Sequence, residues 1–439
     1  MNHAFRIPQT TGMTLIKPAN WASARKIHMR DPGRAVVVTG MAVCCHLGDD
    51  LALIGSMLRE GRSLPFVQRP GAAEADARCQ ILGSYRGELT LPRHQTRFMG
   101  RGALMACKAA IAALAQSRLE RRDIAVVAGS GTGDVATHIE IQEKLSHVGG
   151  IHKVSPTVIP RLMASTVSAN LSALLRTTGP SFSASAACAS GAYNILLASE
   201  LIEHGHVEAA IAGAAEVADP HFHAGFDAMR ALNSQDNEHP ERASRPYAAD
   251  RAGFIFGEAA GMLVLETAAH AAARGAEVLG AVRGYGISSD GTGEMVLPSE
   301  EGAVLAMERA LRHAAVDPVN IDYVNTHGTS TPLGDVTEVR ALRRVFNGRR
   351  VPYSSTKGYT GHSISAAGAI DAIFTLLMLR GGWIAPCANA EPLDAELKDY
   401  PPVLRPTSAP LRVALSNSLG FGATNAALVL ANAGQSERS

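Results

Sequence analysis

The stretch SFSASAACASGAYNILLASELIEHG (Ser181–Gly205) sets a single cysteine among small residues and then turns into a helix-period pattern. Ile195, Leu196, Leu201 and Ile202 fall on one broad helical face, and Gly205 is a suitable C-terminal stop. Cys188 therefore stands at or just before a helix N-terminus. Unpaired backbone N–H groups and the positive end of the helix dipole there favour thiolate over thiol, lowering the pKa from about 8.5. Ala186, Ala187, Ala189, Ser190 and Gly191 leave a flat approach for a bulky electrophile. In this reading the sulfur is a nucleophile. A structural cysteine among small packing residues has the same local appearance, and the stretch alone does not separate the two.

Outward from this segment, strand-length apolar runs alternate with helix-period segments. AVVVTG (35–40), a helix near 101–118, IAVVAGSG (124–131), a helix near 190–204 and AAIAGA (209–214) form one α/β series. A second series contains GMLVLE (261–266), VLGAVRGYGISSD (278–290), a helix near 302–315, YVNTH (323–327), a helix near 335–346, VPYSST (351–356), a helix near 366–379, RVALSN (412–417) and AALVLA (426–431). Similar element order suggests two similar halves, with the polar, Pro-bearing segment 233–250 as an exposed crossing loop.

Composition narrows the function classes. The chain has 439 residues, 46% hydrophobic and only 18% charged, which points to large buried layers or a large subunit interface. A net charge of +1 provides no global field toward nucleic acid or anionic lipid. The longest apolar run, 364–384, is interrupted by Asp371 and Arg380, so no uninterrupted stretch of about 20 apolar residues is present and a soluble protein is expected. Six scattered cysteines show neither zinc-ligand spacing nor a disulfide framework, and a reducing compartment is the simpler reading. Residues 1–33 form a basic arm that we expect to be disordered, with a transit peptide or a true start at Met13 or Met29 as lesser options; a cytoplasmic location is the main expectation.

Two histidines invite a catalytic reading. His327 ends a β-type run and is followed by Gly328, Thr329, Ser330 and Thr331; His362 lies between Gly361 and Ser363, shortly after Lys357. A histidine on a strand-end turn can deliver a proton or hydrogen bond into a cleft. Each, taken singly, also reads as an ordinary satisfied polar residue. Gly420, Phe421 and Gly422 make a tight inter-strand turn whose N–H groups could complete an oxyanion hole, or make nothing more than a turn. GSGTGD (129–134) departs from a dinucleotide fingerprint, because Asp134 stands where the third glycine belongs.

Taken together and in order, ACASGA (187–192), GFDAMRALN (225–233), ERASRPYAADRAGF (241–254), NTHGTSTPLGD (325–335), STKGYTGHSISAAGA (355–369) and NSLGFGATN (417–425) resemble the elongating β-ketoacyl-(acyl-carrier-protein) synthases. The resemblance covers nearly everything after Arg34. It implies an α/β thiolase-like fold: two similar halves, 34–280 and 281–439, in five α-β-α-β-α layers, working as a homodimer or as the active half of a heterodimer with a chain-length factor. It also implies an acyltransferase in fatty-acid or polyketide elongation that condenses an acyl group on Cys188 with malonyl-acyl-carrier protein. Neither metal nor other cofactor is expected beyond the phosphopantetheine arm of that partner.

The same resemblance assigns Cys188 as nucleophile and His327 and His362 as the groups that stabilise the enolate. Lys357 and Glu338 become supports that fix His362 and its surroundings. The N–H groups of Cys188 and Phe421 form the oxyanion hole, with the Phe421 ring as gate, and Thr329 and Thr331 hold the pantetheine. Thr132 closes the acyl pocket. Arg97 is the matched carrier-docking residue, with Arg93, Arg101 and Lys153 as weaker candidates. Leu419 and Ala423 depart from the usual aromatic and glycine of the gating loop, and Thr132 from the usual glycine or bulky aliphatic. A thiolase acting on coenzyme A needs a second cysteine in the C-terminal glycine turn, and GFGATN has none. A chain-length factor alone lacks the nucleophile that this chain possesses.

Overall fold

Valine- and alanine-rich runs form the long strands, since flat β-branched and small side chains fit a sheet covered on both faces. The computed structural model describes residues 32–73, 75–120 and 122–433, so the basic arm lies almost wholly outside the described residues. Ten strands carry the architecture: β1 Val36–Cys44, β2 Ala125–Gly129, β3 Ser181–Phe182, β4 Ala209–Glu216, β5 Ala259–Thr267, β6 Gly280–Ser289, β7 Tyr323–Asn325, β8 Tyr353–Ser354, β9 Val413–Gly420 and β10 Thr424–Ala431. Their lateral order is β8-β7-β9-β10-β6-β1-β5-β4-β2-β3.

This row is the same five-strand pattern used twice. In each half the first strand pairs antiparallel with the fifth, the fifth antiparallel with the fourth, and the fourth, second and third run parallel. The halves meet where Val36–Val38 of β1 pair with Gly280–Val282 of β6.

Six helices complete the layers: α1 Arg101–Ser117, α2 Ser190–Glu203, α3 Pro220–Ala228, α4 Glu300–Ala314, α5 Pro332–Val345 and α6 Ala367–Gly381. α1 covers the outer face of the N-terminal sheet, and α4, backed by α5, covers that of the C-terminal sheet. α2 and α6 lie between the sheets and pack on one another within the largest hydrophobic cluster. The result is the α-β-α-β-α thiolase-like fold.

Glycine permits the central helix crossing. A Cβ on Gly191 would lie 2.5 Å from the Ala369 nitrogen, and one on Gly368 would lie 2.6 Å from the Ala192 nitrogen. Each helix thus lends the other a gap. The stretch Ile364–Gly381 is long and apolar enough to cross a membrane, yet 83% of it is buried in this core.

The 233–250 segment is only partly the exposed loop expected. Ala243–Ala248 is buried, because its polar groups serve the interior: the Ser244 hydroxyl donates to the Lys357 carbonyl (2.7 Å), and the Tyr247 N–H donates to Asp335 (2.9 Å).

Candidate active site

The cysteine sits on a sharp elbow. Ala187 takes a left-handed φ of 47°, and Cys188 and Ala189 lead directly into α2. The Ser190 hydroxyl braces the bend, donating to the Ala187 carbonyl (2.7 Å) and accepting from the Ala186 N–H (2.8 Å). Asn194 holds the approach from below, accepting from the Ala184 N–H (3.0 Å) and donating to the Gly213 carbonyl (2.9 Å). These bonds turn a run of small residues into one fixed sulfur position.

His362 reaches this sulfur from the other half of the molecule. Its Nε2 lies 3.1 Å from Cys188 Sγ. The main chain of His362 is clamped to the Ile255–Gly257 segment through a 2.7 Å bond to the Ile255 carbonyl and a 3.0 Å bond from the Gly257 N–H. His327 completes the group, with its ring centroid 5.0 Å from that of His362 and the planes nearly perpendicular. One ligating atom from each of Cys188, His327 and His362 lies within 4.8 Å of the others, and all three residues are buried. The chamber is apolar: Phe226, Phe254, Phe256 and Ile364 belong to the hydrophobic cluster of Cys188, and Phe421 packs against it.

Glu338 and Lys357 hold different parts of the network around His362. Glu338 grips the turn at His327: its carboxylate accepts the N–H groups of His327 (2.8 Å) and Gly328 (2.9 Å) and the Asn417 amide (3.1 Å). Lys357 pairs with Asp371 at 2.7 Å, and Thr356 donates to the other oxygen of the same carboxylate (2.9 Å). Sequence reasoning missed Asp371 as part of the site. Its signal was visible, an acidic residue inside an otherwise apolar helix, but the partner lies 14 residues away across a turn. Lys357 and Asp371 are both about 2% exposed. Asp371→Ala should therefore cost about 3–5 kcal/mol by stranding a buried ammonium group, measurable as a lower midpoint in urea unfolding.

Electrostatics corrects one expectation. Burial pushes the Cys188 thiol up to about 12, although the Phe421 N–H and the Lys357 charge act the other way. α2 begins two residues beyond the sulfur, and in a closed apolar chamber the loss of water outweighs the helix terminus. Burial, with Lys357 adding to it, holds both histidines well below the usual value near 6.5. The resting site is thus a neutral thiol beside two neutral imidazoles. Since protonation of the rings is displaced to more acidic pH, the reaction rate should not fall as pH is lowered through 6.5; a pH–rate profile checks this. Among the described residues, His327 Nδ1 and His362 Nδ1 are buried with no hydrogen-bond partner, while Nε2 of His362 faces the sulfur.

The backbone N–H groups of Phe421 and Cys188 act to lower the pKa of the sulfur, against the larger effect of burial. The turn after Phe421 holds Ala423 at φ 61°, a conformation glycine adopts more easily, so alanine at this position carries backbone strain. Thr329 and Thr331 hydroxyls lie 3.1 Å apart beside His327. Thr132 donates to Glu216 at 3.2 Å and lies in the wall of a 720 Å³ cavity that is lined by neither Cys188 nor the two histidines. Arg93, Arg97 and Lys153 are exposed, with Arg97 stacked over Phe98 at 4.5 Å. Arg101 is already committed to Glu258 (2.5 Å) and to the Tyr85 carbonyl (2.8 Å), which leaves it less to offer a partner. All six cysteines are free and buried.

Known proteins with this architecture are close in sequence. Residues 33–271 match the β-ketoacyl synthase N-terminal domain and residues 279–391 its C-terminal domain. The chain is 38% identical over 406 residues to 3-oxoacyl-(acyl-carrier-protein) synthase 1 of Escherichia coli, covering 90% of this chain and 98% of that protein. A β-ketoacyl synthase crystal structure from Burkholderia phymatum superposes with a TM-score of 0.85 at 33% identity, covering 91% of this chain and 99% of that one. The ishigamide ketosynthase/chain length factor superposes with a TM-score of 0.82 at 29% identity, covering 91% of this chain and 100% of that one. Two domain matches that together take in most of the chain, and a relative of this identity over nearly full length, lead to one conclusion: the chain belongs to the β-ketoacyl synthase family.

Proposed function

We propose that this chain catalyses decarboxylative Claisen condensation, joining an acyl group carried on Cys188 to malonyl-acyl-carrier protein and releasing 3-oxoacyl-acyl-carrier protein. The observation that carries this reading is the shared chamber: one thiol and two neutral imidazoles within reach of one small thioester. In the first half-reaction the sulfur attacks the acyl thioester and the carbon–pantetheine sulfur bond breaks. The thiol proton passes to the departing pantetheine sulfur, with His362 as the nearest relay. The N–H groups of Cys188 and Phe421 hold the tetrahedral oxygen.

In the second half-reaction His327 and His362 hydrogen-bond the malonyl thioester oxygen. The carbon–carboxylate bond breaks, carbon dioxide departs, and its electron pair forms the enolate that attacks acyl-Cys188. A carbon–carbon bond forms as the cysteine sulfur leaves as thiolate, and the thiol is restored by one proton taken up from solvent. The residues supply hydrogen bonds and a nucleophile, and the leaving carboxylate supplies the drive. Lys357 and Glu338 act as supports, Thr329 and Thr331 hold the pantetheine, and Arg93, Arg97 and Lys153 meet the acidic carrier. The proposed assembly is a homodimer, with a heterodimer containing a chain-length factor as the second form, and the proposed location is the cytoplasm.

The test is incubation with acyl-carrier proteins of graded chain length, reading the mass added to the Cys188 peptide, followed by malonyl-carrier protein and detection of the 3-oxoacyl product. Absence of any adduct on that peptide refutes the reading. In the same assay Thr132→Phe should shorten the longest accepted chain. An unchanged length profile would remove Thr132 from the acyl pocket.

A further inference from the structure

Glu216 is a buried carboxyl group for which the condensation itself has no use. It ends β4, is 1% exposed, and among the described residues forms no ion pair. One oxygen accepts the Gly131 N–H at 3.0 Å and the other the Thr132 hydroxyl at 3.2 Å. The side chain and main chain of Ser365 approach the same group, and the Ser365 hydroxyl also donates to the Ala215 carbonyl at 3.2 Å.

Two functional segments therefore meet on one carboxyl group. On one side is the Gly131–Thr132 turn, of which Thr132 lines a 720 Å³ cavity together with Glu216. On the other is the Ser363–Ser365 turn that immediately follows His362. The contact is tight: a Cβ on Gly131 would lie 2.6 Å from the Glu216 carboxylate and 3.7 Å from the Ser365 Cβ. The catalytic side is under tension as well. Ile364, which lines the Cys188 chamber, is held at φ 45°, costly for a β-branched residue.

We propose that Glu216 is a positioning residue that couples the cavity wall at Thr132 to the placement of the His362 imidazole beside Cys188. An acyl chain long enough to press on the Gly131–Thr132 turn then alters the condensation rate through this carboxyl group. The inference rests on the condensation reading above. It goes beyond that reading by making the rate of the second half-reaction depend on the chain already loaded.

The experiment preloads Cys188 with acyl groups of graded length and measures kcat and KM for malonyl-acyl-carrier protein in the parent, Glu216→Gln and Glu216→Leu proteins. In the parent, kcat should change with the length of the loaded chain. Glu216→Leu should lose about tenfold to a hundredfold in kcat with KM unchanged, the size expected when a catalytic group is misplaced by about an ångström. It should also lose the length dependence. Glu216→Gln, which keeps the shape and one acceptor oxygen, should recover most of kcat.

A parental kcat that is flat across chain lengths overturns the proposal, and this measurement does not depend on any variant folding. A glutamine variant no better than the leucine variant also overturns it. Failure of the parent to load any acyl group on Cys188 would instead count against the condensation reading itself.

Discussion

Cys188→Ala should leave a folded protein that accepts no acyl group and elongates no chain. The substitution removes one sulfur from a chamber whose walls are set elsewhere, by the Ser190 and Asn194 hydrogen bonds and by the phenylalanines packed around it. No other group can take its place. The remaining five cysteines are buried, and none shares the cluster of ligating atoms with the two histidines. Elongation should fall on the order of 10⁶-fold, as expected when the nucleophile of a covalent mechanism is removed. Intact-mass measurement of the variant after incubation with acyl-carrier protein should show no adduct, and circular dichroism should match the parent. Elongation at the parental rate would mean that the nucleophile has been misassigned.

The histidine variants should separate the two half-reactions, and geometry says in which way. His362 Nε2 lies 3.1 Å from the sulfur, so His362→Ala should slow acyl loading as well as condensation. His327 meets the site through its ring alone, with its main chain anchored on Glu338, so His327→Ala should load nearly as the parent does. Both should lose condensation by about 10²–10³-fold, the usual consequence of deleting one preorganised donor to a developing oxyanion. Single-turnover assays, with loading read by mass and condensation by product, distinguish the steps. A His327→Ala protein that condenses at the parental rate would remove this residue from enolate stabilisation.

The candidate catalytic groups drew attention through locally distinctive settings, and the family resemblance of the surrounding motifs gave them their roles. Cys188 lies among alanines at a helix start, and His327 and His362 lie beside glycines at strand or helix ends. The supporting groups were less legible. Glu338 belongs to a helix of ordinary appearance, and only the folded chain shows that it grips the turn at His327. Asp371 served merely as an interruption of an apolar run, although folding turns it into the counter-ion of Lys357. The buried half of the 233–250 segment was equally hidden, since its polar composition reads as solvent exposure until Lys357 and Asp335 appear as its partners.

Periodicity and small-residue patterning, which depend on neighbours three or four positions apart, determined the α/β order and the strand and helix positions, while the roles of Cys188, His327 and His362 came from the family resemblance of the motifs around them. The charge state of the cysteine was decided by tertiary structure alone. Helix polarity is a local property and argued for an acidic thiol, whereas exclusion of water depends on side chains brought in from Phe226, Phe254, Ile364 and Phe421, and it pushes the group up to about 12. The same holds for the meeting of Cys188 with His362, 174 residues apart, because no local interaction specifies a distance between two halves that become neighbours only when their sheets close on α2 and α6.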